Sequence, residues 1–308
     1  MTTALITHAD CLMHVTPEGH PEQVARLEHV LHALEPLELK RITAPLAAED
    51  DVLRLHPQSY LAELRDRLPA EGIVQLDEDT FMSPGSLTAA FRAVGAANRA
   101  VDLVLGSEVG NAFCATRPPG HHAEAETPMG FCLFATAALA AQYALDHHGL
   151  KRVAIVDFDV HHGNGSQELL ADEPRALVIT SQQVPLWPGT GAADETGAHD
   201  NVLNLPLPPE SGSAAMRAAW GDQAFPRLRA FRPELIVISA GFDAHADDPL
   251  AQLRWSVEDY VWLTAGLCAI AAEVCGGRIV STLEGGYDLN ALAVSAKAHV
   301  EELIRAAR

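Results

Sequence analysis

Residues 157 to 165, DFDVHHGNG, set carboxylates and an imidazole at alternate positions directly after the apolar run KRVAIV. Alternate side chains of an extended segment share a face, so Asp157, Asp159 and His161 are expected to point one way while Phe158 and Val160 pack the other. Buried polar groups without partners cost about 1–3 kcal/mol each, and unpaired charges cost more, so this cluster calls for a bound cation. Mixed carboxylate and imidazole donors suit zinc, whose catalytic sites keep three protein ligands and one open position. The plainer alternative is a capped turn with locally bonded histidines, and the other clusters in the chain weigh against it. A further donor must come from elsewhere. SAGFDAHADDP offers Asp243, with His245 as a weaker competitor, whereas Asp247 and Asp248, just before Pro249, are better placed to cap a helix.

Two more stretches carry chemistry. RPPGHH holds His121 and His122 behind a rigid turn, a placement suited to proton transfer near neutral pH. The plainer alternative is that one of the pair is a satisfied buried histidine, and that both are idle is the less favoured outcome. LEGGYDLN brings Tyr287 out of a Gly-Gly bend, where its hydroxyl can donate to a developing oxyanion. The alternative is a packed tyrosine with its hydroxyl at the surface.

The elements that position these corners alternate in type. Apolar runs of strand length (NAFCAT, RVAIVDFD, RALVITS, ELIVISAGFD, RIVSTLEGG) alternate with the helical patterns GFCLFATAALAAQYALDHHG, SAAMRAAWGDQAFPRLRAF and VEDYVWLTAGLCAIAAEVCGG. This pattern predicts an α/β fold, a predominantly parallel sheet flanked by helices on both faces, as one domain over residues 1–308. Ligands of such sheets bind outside the carboxyl ends of the strands, and the polar clusters fall at those ends.

Bulk composition narrows the partners. A net charge of −20 argues against nucleic acid and anionic membrane and favours cationic ligands. The five cysteines include no CxxC pair, so neither a disulfide framework nor a cysteine zinc site is expected. No basic leader or membrane-spanning run is evident, and the expected location is cytoplasmic.

Together GHPE (19 to 22), RPPGHH, PMGFC, DFDVHHGNG, PGTG, SAGFDAHADDP and EGGY resemble the zinc-dependent histone deacetylase family of the arginase/deacetylase superfamily, in family order over nearly the whole chain. Their wording is most similar to bacterial amidohydrolases related to the class II deacetylases. The resemblance implies the arginase/deacetylase fold and one Zn²⁺ held by Asp159, His161 and Asp243. It implies His121 and His122 as tandem catalytic histidines, oriented by Asp157 and Asn164 respectively, and Tyr287 as the group polarising the substrate carbonyl. Gly130 and Phe131 of PMGFC, with Trp187, would line a tunnel for an acylated amine, and the apolar Leu250 at its mouth tilts the choice toward acetyl-lysine over acetylpolyamine. A small-molecule amide hydrolase and a non-catalytic acyl-lysine reader are the remaining alternatives. A structural K⁺ or Na⁺ and a homo-oligomer are compatible with the resemblance.

Overall fold

The computed structural model describes residues 1–308. In chain order the strands are β1 (Thr3–Thr7), β2 (Lys40–Thr43), β3 (Val74–Gln75), β4 (Phe81–Met82), β5 (Asn111–Cys114), β6 (Val153–Asp157), β7 (Ala176–Gln183), β8 (Val202–Leu207), β9 (Leu235–Ala240) and β10 (Ile279–Leu283). Eight of them form one parallel sheet in the order β2-β1-β5-β10-β9-β6-β7-β8, while β3 and β4 pair as a separate antiparallel ribbon.

The expected parallel sheet covered on both faces is present. Every residue of β5, β6, β7, β9 and β10 is buried, as continuous apolar runs in covered parallel strands should be. The edges read differently. β2, KRIT, has no buried residue, and β8 carries an exposed Pro206, which can join a ladder only where no N–H is needed.

Alternation along β6 divides the core. Ala154 and Val156 pack with residues of the helices Val24–Leu34, Val257–Cys275 and Leu289–Ala307, whereas Val153 and Ile155 pack with the helices Ser86–Leu105 and Thr136–Asp146. The second pair meets through alanines, among them Ala96, Ala97 and Ala100 against Ala137, Ala140 and Ala141, all fully buried. Such small side chains let two helices approach closely, and larger ones there would overpack the layer.

Two helical expectations are corrected. The helix expected from Gly130 starts only at Thr136, because Met129 to Cys132 form a tight turn, closed by Cys132 N–H donating to the Met129 carbonyl at 2.9 Å. The helix expected over 213–231 is continuous but widens into a π-turn at Trp220–Ala224. Pro226 follows that turn and has no N–H to give to the carbonyl four residues back.

The four central strands, β5, β10, β9 and β6, lie side by side. Their carboxyl ends release the loops carrying His121 and His122, Tyr287, Asp243, and Asp159 with His161. Sequence-distant residues thus meet at one edge of the sheet.

Candidate active site

After β6 the chain leaves the extended conformation, and its two aspartates part company. Asp157 Oδ1 accepts the Asp159 N–H at 3.0 Å and Oδ2 lies 2.9 Å from His121 Nδ1. The common face expected for Asp157, Asp159 and His161 is therefore corrected: Asp157 faces the histidine pair. Asp159 and Asp243 instead flank His161, whose Nδ1 is 3.2 Å from Asp159 Oδ1 and 3.1 Å from Asp243 Oδ2. The other carboxylate oxygens are fixed by backbone, Asp159 Oδ2 by Gly285 N–H and Asp243 Oδ1 by Val160 N–H, both at 2.8 Å. Gly241 and Gly285 back the carboxylates, and a Cβ at either would overlap them. His245 stands apart, with Nδ1 accepting the Asp247 N–H at 3.2 Å.

Charge in this cradle is unbalanced. Asp159 and Asp243 are 1% and 0% exposed. Burial, then the charge of Asp159, pushes the Asp243 carboxyl up to about 7. Burial pushes Asp159 up as well, but His121 and His161 outweigh it and hold its carboxyl far below the usual range. His161 rises to about 10, because hydrogen bonds to Asp159 and Asp243 overcome the effect of burial. The His161 Nδ1 atom thus faces two buried carboxylates at 3.2 and 3.1 Å, an arrangement that favours positive charge at this point. Ligand atoms of the three residues lie within 4.8 Å of one another, and two carboxylates with one imidazole fit a divalent cation such as zinc.

Beside the cradle, the rings of His121 and His122 lie 3.8 Å apart. Burial lowers His121, yet Asp159 and then Asp157 outweigh it and push the ring up to about 10. His122 moves the other way, well below its ordinary value, through burial and then the charges of His121 and His161. His122 Nδ1 donates to Asn164 Oδ1 at 2.8 Å, and Asn164 Nδ2 donates to Glu124 Oε1, also at 2.8 Å. The neutral amide is thus backed by a carboxylate that sequence reading missed. Glu284 was missed too. It is buried, its Oε2 accepts the N–H groups of Gly120 and His121 at 2.7 and 3.2 Å, and burial pushes it up to about 7.

A pocket of about 570 Å³ opens above these groups, lined by His122, His161, Tyr287, Gly130, Phe131, Trp187 and Leu250. Every residue expected to line a tunnel is in its wall. Trp187 meets His122 edge-on at 4.7 Å, and Phe131 meets Tyr287 edge-on at 5.7 Å. Gly130 and Phe131 both have positive φ, +55° and +68°, as the centre of a mirror-image turn requires. Any Cβ at Gly130 would overlap the His122 and Trp187 rings. Phe131 has no such freedom, so its left-handed backbone costs about 1–3 kcal/mol, which its ring contacts and the bond from its N–H to Thr80 Oγ1 at 3.0 Å help offset.

Asp248 corrects another expectation. No helix begins between Asp248 and Val257, and instead of capping one, its Oδ2 accepts the Tyr287 N–H at 2.7 Å while Oδ1 accepts the Leu250 N–H at 3.0 Å. One buried carboxylate thereby ties Tyr287 to the pocket rim. From the other side the Arg26 guanidinium sits 4.9 Å from the centre of the Tyr287 ring, and its Nε donates to the Gly286 carbonyl at 2.6 Å. Glu22 of GHPE anchors that arginine at 3.0 Å and also pairs with Arg117 of RPPGHH, which donates to it at 2.5 and 2.7 Å. Burial raises the Glu22 carboxyl, but Arg117 and then His14 outweigh it and hold it well below the carboxylate range.

Comparisons with known proteins agree with this geometry. The family profile for the histone deacetylase domain matches residues 20–303. Histone deacetylase 10, chloroplastic, of Oryza sativa subsp. japonica is 40% identical over 301 residues, covering 90% of this chain and 68% of that protein. The histone deacetylase-like amidohydrolase of Pseudomonas aeruginosa is 38% identical over 293 residues, covering 92% of this chain and 77% of its own. Among solved structures, the HDA15 HD domain superposes with a TM-score of 0.92 at 32% identity, over 99% of this chain and 88% of that one. Because the match runs through the sheet and through every loop that builds the cradle, the chain belongs to the histone deacetylase family.

Proposed function

We propose that this hydrolase is a zinc-dependent amidohydrolase that removes acyl groups from acylated amines, with acetyl-lysine-like substrates foremost. One observation carries the reading: the Asp159, His161 and Asp243 cradle lies at the foot of an apolar-walled pocket that also exposes His122 and Tyr287. Bound there, the cation supplies Lewis acidity to an amide carbonyl and acidifies water. Phe131 and Trp187 hold the methylene chain and exclude solvent. His122, neutral because its surroundings disfavour charge, takes the proton of the attacking water on Nε2 while Asn164 holds Nδ1–H. Asp159 and then Asp157 favour the charged form of His121 beside it, and the Tyr287 hydroxyl donates to the oxyanion as it forms.

Tyr287→Phe is expected to keep its metal and lose about 10²–10³ in kcat, the usual loss for one oxyanion donor. Asp248→Asn leaves the hydroxyl present but misplaced, so a smaller loss of kcat, with metal content and KM little changed, is expected in the same assay. Normal turnover in Tyr287→Phe removes Tyr287 from the mechanism.

A second reading has support at the mouth. Besides Leu250, the pocket is lined by Glu18, Glu78 and Asp79, so a substrate with a second ammonium also finds partners. The apolar Leu250 therefore separates lysine from polyamine less sharply than its place in the sequence suggests. Metal-loaded protein should hydrolyse an acetyl-lysine peptide with a higher kcat/KM than acetylputrescine. The reverse order assigns a polyamine substrate, and hydrolysis of neither overturns the amidohydrolase reading.

A further inference from the structure

At the amino edge of the sheet, where chains enter β5 and β6, a second group of metal-ligating side chains gathers. Asp102 lies in the last turn of the helix Ser86–Leu105, and His147 and His148 immediately follow the helix Thr136–Asp146. Ligand atoms of the three lie within 4.8 Å of one another. We propose that Asp102, His147 and His148 form a second, peripheral site for a divalent transition metal of the zinc type, separate from the cradle at the carboxyl ends of the strands.

The side chains are already arranged for this. His148 Nε2 is 2.9 Å from Asp102 Oδ1, and the Tyr143 hydroxyl donates to that same oxygen at 3.0 Å, fixing the carboxylate's direction. The His147 ring stacks on Tyr143 at 4.7 Å and 13°, while Arg54 sits over the Tyr143 ring at 5.3 Å. Both histidines are exposed and Asp102 is half-buried, so an ion reaches them from solvent without rearranging the core. Zinc bonds of about 2.0–2.2 Å need donors roughly 3.3–3.5 Å apart, so binding requires the exposed imidazoles to adjust from their present spacing of up to 4.8 Å. Two imidazoles and one carboxylate select zinc, nickel or copper over magnesium or calcium, which favour oxygen. The site also lies at the carboxyl end of a helix, where the backbone dipole favours a cation. A metal there would clamp one helix to the next at the entrance to β6.

The test is equilibrium dialysis of the untagged full chain against Zn²⁺, with Mg²⁺ as control. The expected saturation is two equivalents of zinc per chain. His148→Ala and His147→Ala should each weaken the second equivalent by about tenfold or more while leaving hydrolysis unchanged. Asp243→Ala should lose the other equivalent and keep this one. The midpoint of thermal unfolding should rise as the second equivalent binds to the native chain and to Asp243→Ala, and stay fixed in His148→Ala. Saturation of the native chain at one equivalent that Asp243→Ala abolishes overturns the proposal, as does retention of both equivalents by the two histidine variants.

Discussion

Replacing Asp243 by alanine is expected to remove the zinc of the catalytic cradle and abolish hydrolysis while the sheet remains folded. Asp243 Oδ2 faces His161 Nδ1 at 3.1 Å, and no other carboxylate is placed to substitute for it. The stability effects oppose each other. Without Asp243 the Val160 N–H loses its acceptor, a loss of about 1–3 kcal/mol for a buried donor. Its removal also relieves the repulsion from Asp159 that raises the Asp243 carboxyl. A small change in unfolding midpoint, with complete loss of activity and of one zinc equivalent, is the expected combination. Counting zinc in a His148→Ala background keeps any metal bound at the amino edge out of the measurement. Full zinc occupancy with unchanged turnover would remove Asp243 from the ligand set.

The parts of this site that were legible in the sequence share a physical cause. A carboxylate or imidazole in the polar corner that follows an apolar run lies at a strand end, so Asp159, His161, Asp243, His121 and His122 group together on the sequence alone. The same signal found β5, β6, β7, β9 and β10, whose residues are all buried. It missed β1, whose apolar run spans only Ala4 to Ile6, and the edge strands β2 and β8, which are polar or interrupted by Pro206. What remained hidden were partners defined by side-chain direction. Asp157 and Asp159 have the same type two residues apart, yet one faces His121 and the other His161, because the strand ends between them. Asp248 before a proline has the local pattern of a cap, and only the approach of the Tyr287 loop from 39 residues away gives its carboxylate different work. Arg26 and Glu124 lie just beyond the GHPE and RPPGHH motifs, but their contacts, with the Tyr287 ring and with Asn164, are set by the packing of distant loops.

The two histidines are expected to be unequal, with His122→Ala costing about 10²–10⁴ in kcat/KM, the range for loss of a general base, and His121→Ala costing less. The asymmetry comes from their partners. His121 faces the carboxylate of Asp157, whereas His122 faces the amide of Asn164 and lies near the positive charge held by His161, or by a cation in its place. A base works only when unprotonated, so activity falls as pH drops through the His122 pKa, and a low pKa puts that limb at low pH. A carboxylate in place of the Asn164 amide favours the protonated ring and raises its pKa, so Asn164→Asp should move the acidic limb of the kcat/KM profile to higher pH. Glu124, 2.8 Å from the Asn164 amide nitrogen, opposes a new charge there. Combining Asn164→Asp with Glu124→Gln removes that opposition and should give the larger shift. If Asn164 serves only to shape the turn into the helix Asn164–Leu170, these variants will change the unfolding midpoint and leave the acidic limb where it is. Measuring both quantities on the same preparations separates an orienting partner of the base from a residue of the turn.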